Sequence, residues 1–145
     1  MKARAINGSA AGDAALLAPV RPLFRALTET IVPQATALDE RAWTEVESTI
    51  ESALARREPR LRRQLVLFIR AIGLLSLIRY GRPFTRLDAR RRTMLLTSLQ
   101  EARSALVRRG FWGLRTLALM GYYARDAAAR EIGYRARAEG WEARA

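Results

Sequence analysis

Apolar residues recur at helical spacing along most of the chain, and the first two repeats predict two helices. "PLFRALTETIV" predicts a short helix that starts at Pro22, a position where a first turn tolerates proline, and that ends before Pro33. Asp39 is suited to cap the next helix. Its apolar stripe consists of Trp43, Val46, Ile50, Ala53 and Leu54, and its outward side of Glu45, Glu47, Glu51 and Arg57.

From residue 60 to residue 80 the apolar positions go all the way round the helix instead of forming one stripe. They are Leu65, Val66, Leu67, Phe68, Ile69, Ile72, Leu74, Leu75, Leu77 and Ile78. A helix that is apolar on every side is normally buried by its neighbours. We therefore expect this segment to be the buried central helix of a bundle, ended by Gly81 and Pro83.

The last third of the chain predicts further helices and no strand. Asp88 is placed to cap a long helix, with Leu95, Leu99, Ala102 and Leu106 on one face and an interruption at Gly110. Residues 111–123 continue the helical pattern, and a short helix is expected over 125–132. The predicted fold is therefore all-α: a single-domain bundle of five or six helices over residues 19–145, preceded by a flexible arm over residues 1–18.

The chain contains no cysteine and no histidine. This composition excludes disulfides, thiolate and imidazole chemistry, and nearly all zinc, iron and haem sites. Carboxylate pairs such as Glu47 and Glu51 are expected on a solvated helix face rather than at a reaction centre. We predict that the chain is not an enzyme and that it has no catalytic, cofactor-binding or metal-binding residue.

Positive charge is concentrated in the second part of the chain. The net charge is +12; residues 1–58 sum to −1 and residues 59–145 to +13. Arginine clusters lie at 56–63, 86–92 and 108–109, and such an excess attracts nucleic acid, anionic lipid or an acidic protein. No helix-turn-helix or zinc-finger spacing accompanies the clusters. A basic helical protein that binds nucleic acid or a membrane surface is therefore the alternative function.

Two arginines, Arg70 and Arg103, lie within or beside apolar helix faces. A buried guanidinium has to be paired, and the candidate acceptors are Glu101, Asp88 or a carboxylate on another chain. An internal salt bridge is the expected outcome for each.

Aromatic residues gather near the C-terminus, where six of the eleven fall in the last 35 residues among arginines and glycines. Core packing would explain Phe111 and Tyr122, and it explains the following Trp112, Tyr123, Tyr134 and Trp141 less well. Tyr, Trp and Arg dominate protein interfaces, so a docking surface is as good an interpretation of the group as core packing alone. We predict a partner-binding surface that consists of Phe111, Trp112, Arg115, Tyr122, Tyr123, Ile132, Gly133 and Tyr134.

Four stretches in this order resemble the small-subunit family of gluconate 2-dehydrogenase: "LTETIVP", "FTRLDARRRTMLLTSLQEARS", "RRGFWGLRTLALMGYYA" and "EIGY". The resemblance implies a non-catalytic accessory subunit. Its partner would be a large FAD-dependent oxidoreductase of the glucose-methanol-choline class, which would carry the FAD while this chain carries no cofactor. Under this interpretation Gly121 and Gly133 end or bend helices and so present Tyr122, Tyr123 and Tyr134 to the partner.

The first twenty residues contain no apolar run typical of a signal peptide. The most apolar segment, residues 65–78, is fourteen residues long and includes Arg70, whereas a bilayer span needs about twenty apolar residues. We expect a cytoplasmic protein, with the inner face of the membrane as the alternative location.

Overall fold

A computed structural model describes residues 16–125 of the chain, and over that range the protein is built from helices. The five α-helices are α1 (Arg21–Ile31), α2 (Glu40–Ala55), α3 (Pro59–Tyr80), α4 (Ala89–Gln100) and α5 (Ala105–Tyr123). Short 3-10 helices occupy Ala18–Val20, Pro33–Ala37 and Phe84–Arg86. No strand occurs among the described residues, and the predicted all-α single-domain fold is confirmed.

Local side-chain chemistry sets several helix ends. The Asp39 carboxylate accepts a hydrogen bond from the Ala42 backbone N–H at 2.8 Å, and Asp88 does the same for Arg91 at 2.8 Å. Each such cap stabilises its helix by about 1 kcal/mol. Gly81 ends α3 in the left-handed conformation, with φ of 68°, which glycine adopts without steric cost. These three predictions are confirmed.

The predicted interruption at Gly110 is wrong, because the break between α4 and α5 lies at residues 101–104. There Ser104 caps α5 by accepting from the Val107 N–H at 3.4 Å. Gly110 lies inside α5, where a Cβ would stand 2.7 Å from Cε2 of Phe68 on α3. The glycine therefore permits a close approach of two helices and does not end one.

The central helix of the bundle is α1, which corrects the expectation for residues 60–80. Helix α1 contacts α3, α4 and α5, and its Phe24 and Leu27 side chains are fully buried. Helix α3 fully buries only the side of Ile69, Ile72 and Ser76, and its opposite side faces solvent. The eleven-residue α1 can be surrounded by its neighbours, whereas the longer α3 is packed on one side only.

Of the predicted flexible arm, the structure describes only the last residues, 16–18. Leu17 is fully buried, and its backbone N–H donates to Glu51 Oε1 at 3.4 Å, so the packed domain includes residue 17. The rest of the arm, up to residue 15, lies outside the described residues. So does the predicted short helix, except for Arg125. Both stay predictions.

Glu47 does not face solvent, contrary to the expectation for α2. Its side chain is buried between two arginines of α1: Arg21 Nε donates to Oε2 at 2.9 Å and Arg25 Nε donates to Oε1 at 2.7 Å. Arg25 also pairs with Glu40 at 2.8 Å and lies 5.2 Å from the centre of the Trp43 ring. Burial alone would lower the pKa of Arg25, but the two carboxylates raise it above its ordinary value. This network joins α1 to α2.

Arg70 and Arg103 are exposed to solvent, so the expectation that they are buried and need an internal salt bridge is wrong. The sequence predicted burial of Arg70 because the neighbours on its helix face are apolar, but in the structure those neighbours lie on the exposed side of α3.

Glu51, by contrast, is partly buried. Burial raises the pKa of its carboxyl group, and the hydrogen bond from the Leu17 N–H opposes this shift in part.

Candidate partner-binding surface

The outward face of α5 carries two of the predicted partner-binding aromatics. Trp112 is 47% exposed and Tyr123 is 38% exposed. They lie eleven residues apart on one face of the helix, which corresponds to roughly 16 Å along its axis. Arg115 and Leu119 lie between them and are half-buried. We call this set of four residues the aromatic face.

Each exposed aromatic ring of this face is held by a buried aromatic neighbour. The Phe111 and Trp112 rings pack edge to face, with 5.7 Å between centroids and 71° between planes. The Tyr122 and Tyr123 rings do the same, at 5.0 Å and 88°. Such pairs contribute about 0.5–1.5 kcal/mol beyond the area that they bury. The core therefore fixes the positions of both outer rings.

Phe111 and Tyr122, which were predicted to bind the partner, are core residues with only 3% exposure each. Adjacent residues on a helix point about 100° apart, so one member of each aromatic pair turns inward and the other outward. Direct contact with a partner is therefore available to Trp112 and Tyr123, and the two inner rings support them.

Arginines stack on both aromatic pairs. The Arg115 guanidinium lies 5.4 Å from the centre of the Trp112 ring, and that of Arg125 lies 4.6 Å from the Tyr122 ring. Arg125 Nε also donates to the Tyr122 carbonyl oxygen at 3.2 Å. A cation over an indole ring is favourable by about 0.5–1 kcal/mol at exposed sites. Arg115 and Trp112 thus form a preformed pair of two of the three residue types that are enriched in binding hot spots.

Gly121 does not end or bend α5, and that prediction is wrong. It is buried within the helix, where a Cβ would stand 2.7 Å from Ile50 Cδ1 and 3.0 Å from Val46 Cγ1. Its role is to let α5 approach α2. Ile132, Gly133 and Tyr134 lie outside the described residues, and their place in the surface stays a prediction.

A second outward apolar surface lies on α3 and was not predicted from the sequence. Leu67, Leu74 and Ile78 are 62%, 59% and 74% exposed. The signal for it was the apolar pattern on every side of residues 60–80. That pattern is also produced by a helix with one side packed on its own domain and the other side available to another chain.

Some arginines of the basic clusters have structural roles. Arg92 donates to the carbonyl oxygens of Phe84 at 3.2 Å and Thr85 at 2.7 Å. Arg108 donates to the carbonyl oxygens of Ala102 at 2.6 Å and Arg103 at 2.9 Å, just beyond the end of α4. These contacts account for part of the 86–92 and 108–109 clusters without a nucleic acid.

Carboxylates do not gather into a metal-binding group of three or more anywhere in residues 16–125. Over the same residues, no helix has the length and the apolar character to cross a membrane.

The chain matches the family described as gluconate 2-dehydrogenase subunit 3 over residues 20–141. It belongs to this family. The match includes all five helices, and hence both the aromatic face and the outer side of α3. The family description names a subunit of an enzyme with several subunits, so a partner subunit is implied. Comparisons with curated protein sequences and with solved structures give no significant match.

Proposed function

We propose that this chain is a non-catalytic small subunit that binds and stabilises a large FAD-dependent dehydrogenase or oxidase of the glucose-methanol-choline class. The family match supports an accessory-subunit role. The observation that carries the proposal is the aromatic face of α5, where buried rings hold Trp112 and Tyr123 in place at the surface.

The chemistry of the described residues supports a binding role better than a catalytic one. Histidine and cysteine are absent from the whole chain. The most buried carboxylate, Glu47, is neutralised by Arg21 and Arg25, and the Glu51 carboxylate accepts the Leu17 N–H. These groups serve the packing of α1 and α2. In the proposed complex the FAD and the reaction both belong to the large subunit.

Preorganisation explains how a small surface could bind tightly. Immobilising a side chain on association costs about 0.5–1.5 kcal/mol, and this cost is reduced when the side chain is already fixed. Trp112 is fixed by the Phe111 ring on one side and by Arg115 on another, and Tyr123 by the Tyr122 ring. Less of the binding free energy from these two side chains is then offset by the cost of ordering them, so the complex binds more tightly.

The test is co-purification of the large flavoprotein with tagged wild-type chain and with a Trp112→Ala, Tyr123→Ala double variant. We expect the double variant to retain at least tenfold less flavoprotein, because truncating hot-spot residues, a class enriched in Trp and Tyr, weakens binding by about 2 kcal/mol or more. Met94→Ala is the matched control, since Met94 is an equally exposed apolar residue on α4, at 46%.

Circular dichroism must show wild-type helicity for all three proteins. Retention of flavoprotein by the double variant at the wild-type level would contradict the proposal for this face. Recovery of nucleic acid instead of a flavoprotein, with binding that falls steeply as salt rises, would favour the alternative function.

A further inference from the structure

The outer side of α3 presents a continuous row of large apolar side chains to solvent. Leu67, Leu74 and Ile78 follow one another at i, i+7 and i+11, with the exposed Ala71 between them. Leu77 flanks the row and is 47% exposed. Apolar side chains scattered singly on a surface are ordinary, but a contiguous apolar patch of this kind marks an interaction site.

A groove runs beside this row and is lined on the α3 side by Arg70, Gly73 and Leu77. Its other wall includes Leu23 of α1 and Phe84, which follows α3. Gly73 lets the Leu23 side chain of α1 pack closely on α3 at the wall of the groove, because a Cβ at this position would stand 2.9 Å from Cδ2 of Leu23. The surface thus combines a ridge with a groove, a shape that suits a protein segment better than the flat surface of a membrane.

The charges around the row indicate which protein surface it fits. Helix α3 contains five arginines and no acidic residue. Arg60 and Arg63 are exposed in its first two turns, and Arg70 lies beside Leu67 and Leu74. Cations are disfavoured at a helix N-terminus, so external carboxylates there would be stabilised both by the arginines and by the helix dipole.

A second copy of this chain is a poor occupant. An interface between the apolar rows of two α3 helices would bring the exposed Arg60, Arg63 and Arg70 of each copy into one contact, and like charges brought together oppose association. An apolar segment rimmed by Asp and Glu would instead bury the leucines and pair with the arginines.

We infer that the outer side of α3, with the groove beside it, is a second docking site. It would receive an apolar, acid-rimmed segment of the same large subunit that contacts the aromatic face. The inference rests on the proposed function and specifies the chemistry of the partner. Helices α3 and α5 would then hold the large subunit at two separate surfaces.

The experiment measures how much flavoprotein subunit co-purifies with tagged full-length chain at low and at high salt. Leu74→Glu places a charge in the apolar row and should weaken the complex roughly tenfold or more. Leu74→Ala should weaken it less. Arg70→Glu should weaken it at low salt in particular, because rim charges are screened as salt rises. Met94→Glu, at a similarly exposed apolar residue on α4, should leave it unchanged.

The outcomes separate this inference from the proposed function. If wild type retains the flavoprotein and the two Leu74 variants and Arg70→Glu retain it equally, the inference is overturned and the proposed function stands. If wild type itself retains no flavoprotein, both are overturned.

Two further results would assign the row to another occupant and so overturn the inference. One is a dimer of the isolated full-length chain, by analytical ultracentrifugation, that Leu74→Glu converts to a monomer without affecting flavoprotein binding. The other is binding to vesicles that contain phosphatidylserine, lost in Leu74→Glu while the complex with the flavoprotein is unchanged. Loss of flavoprotein binding in Leu74→Glu and Leu74→Ala, with wild-type helicity, supports the inference.

Discussion

Two glycines of α5, eight residues apart, should respond in opposite ways to the same substitution. At Gly121 a Cβ would stand 2.7 Å from Ile50 Cδ1 and 3.0 Å from Ile50 Cγ1 and Val46 Cγ1. Ile50 and Val46 are fully buried and belong to α2. At Gly113, which is exposed, a Cβ would meet no atom within 4 Å. Gly121→Ala therefore overpacks the contact between α2 and α5, whereas Gly113→Ala adds a methyl group in open space.

The expected magnitudes follow from two competing effects. Replacing glycine by alanine inside a helix stabilises it by about 1 kcal/mol, at either position. Overpacking a close-packed core costs about 1–3 kcal/mol, and Val46 relieves little of this because its β-branched side chain is stiff. Gly113→Ala should therefore stabilise the protein by about 1 kcal/mol. Gly121→Ala should destabilise it by up to about 2 kcal/mol.

The assay is urea unfolding of each variant, followed by circular dichroism, with the free energy of unfolding compared at constant slope. A double variant gives a further check, because Ile50→Val removes the Cδ1 atom that the new methyl group would contact. The loss in Gly121→Ala with Ile50→Val should then be smaller than the sum of the two single losses. Equal stabilisation by Gly113→Ala and Gly121→Ala would refute the account of how α5 packs on α2.

Two further predictions concern the carboxylates of α2. Glu47→Gln should destabilise the protein by about 2 kcal/mol in urea unfolding, because it leaves Arg21 and Arg25 without their shared, largely buried anion; an unchanged midpoint would show that the network contributes little. Glu51→Gln should be more stable than wild type at neutral pH. The pKa of Glu51 is raised in the folded state, so its ionised form destabilises the fold, and glutamine removes that charge. The glutamine side-chain oxygen still accepts the hydrogen bond from the Leu17 N–H. The folded state binds this proton more tightly than the unfolded state, so the advantage of the glutamine variant should grow as pH rises from about 4 to 7; an advantage that is constant over this range would contradict the assigned pKa direction.

Features set by neighbouring residues were predictable from the sequence, and features set by distant residues were not. Asp39 and Asp88 cap their helices through contacts three residues away, so their types and positions sufficed. Glu47 turns inward because Arg21 and Arg25, more than twenty residues earlier, are placed to receive it. The sequence shows that Glu47 lies beside an apolar stripe, but it does not show whether arginines of another helix are placed against it.

The roles of the glycines were likewise predictable only where neighbouring residues indicate them. Gly81 is followed by Arg82 and Pro83, which together mark a helix end, and the structure agrees. Gly110 and Gly121 have no such neighbours, and only the positions of Phe68 and Ile50 show that they serve close helix contacts.

The candidate surface was predicted in part for a similar reason. Composition indicated which region of the chain is rich in Trp, Tyr and Arg, but the direction of each ring depends on where the rest of the bundle lies. Trp112 and Tyr123 face outward, and Phe111 and Tyr122 face inward. The periodicity of α3 likewise could not show whether its second apolar side is covered by this domain or by another chain.

The most direct test of the central claim is the composition of the complex that the tagged wild-type chain forms in its native cells. Mass spectrometry and an absorbance spectrum would be recorded on the purified complex, and again on its two components after separation. We expect a large flavoprotein in fixed stoichiometry, with the flavin remaining on the large component and none on this chain. A chain that purifies without any flavoprotein, or one that keeps the flavin itself, would contradict it.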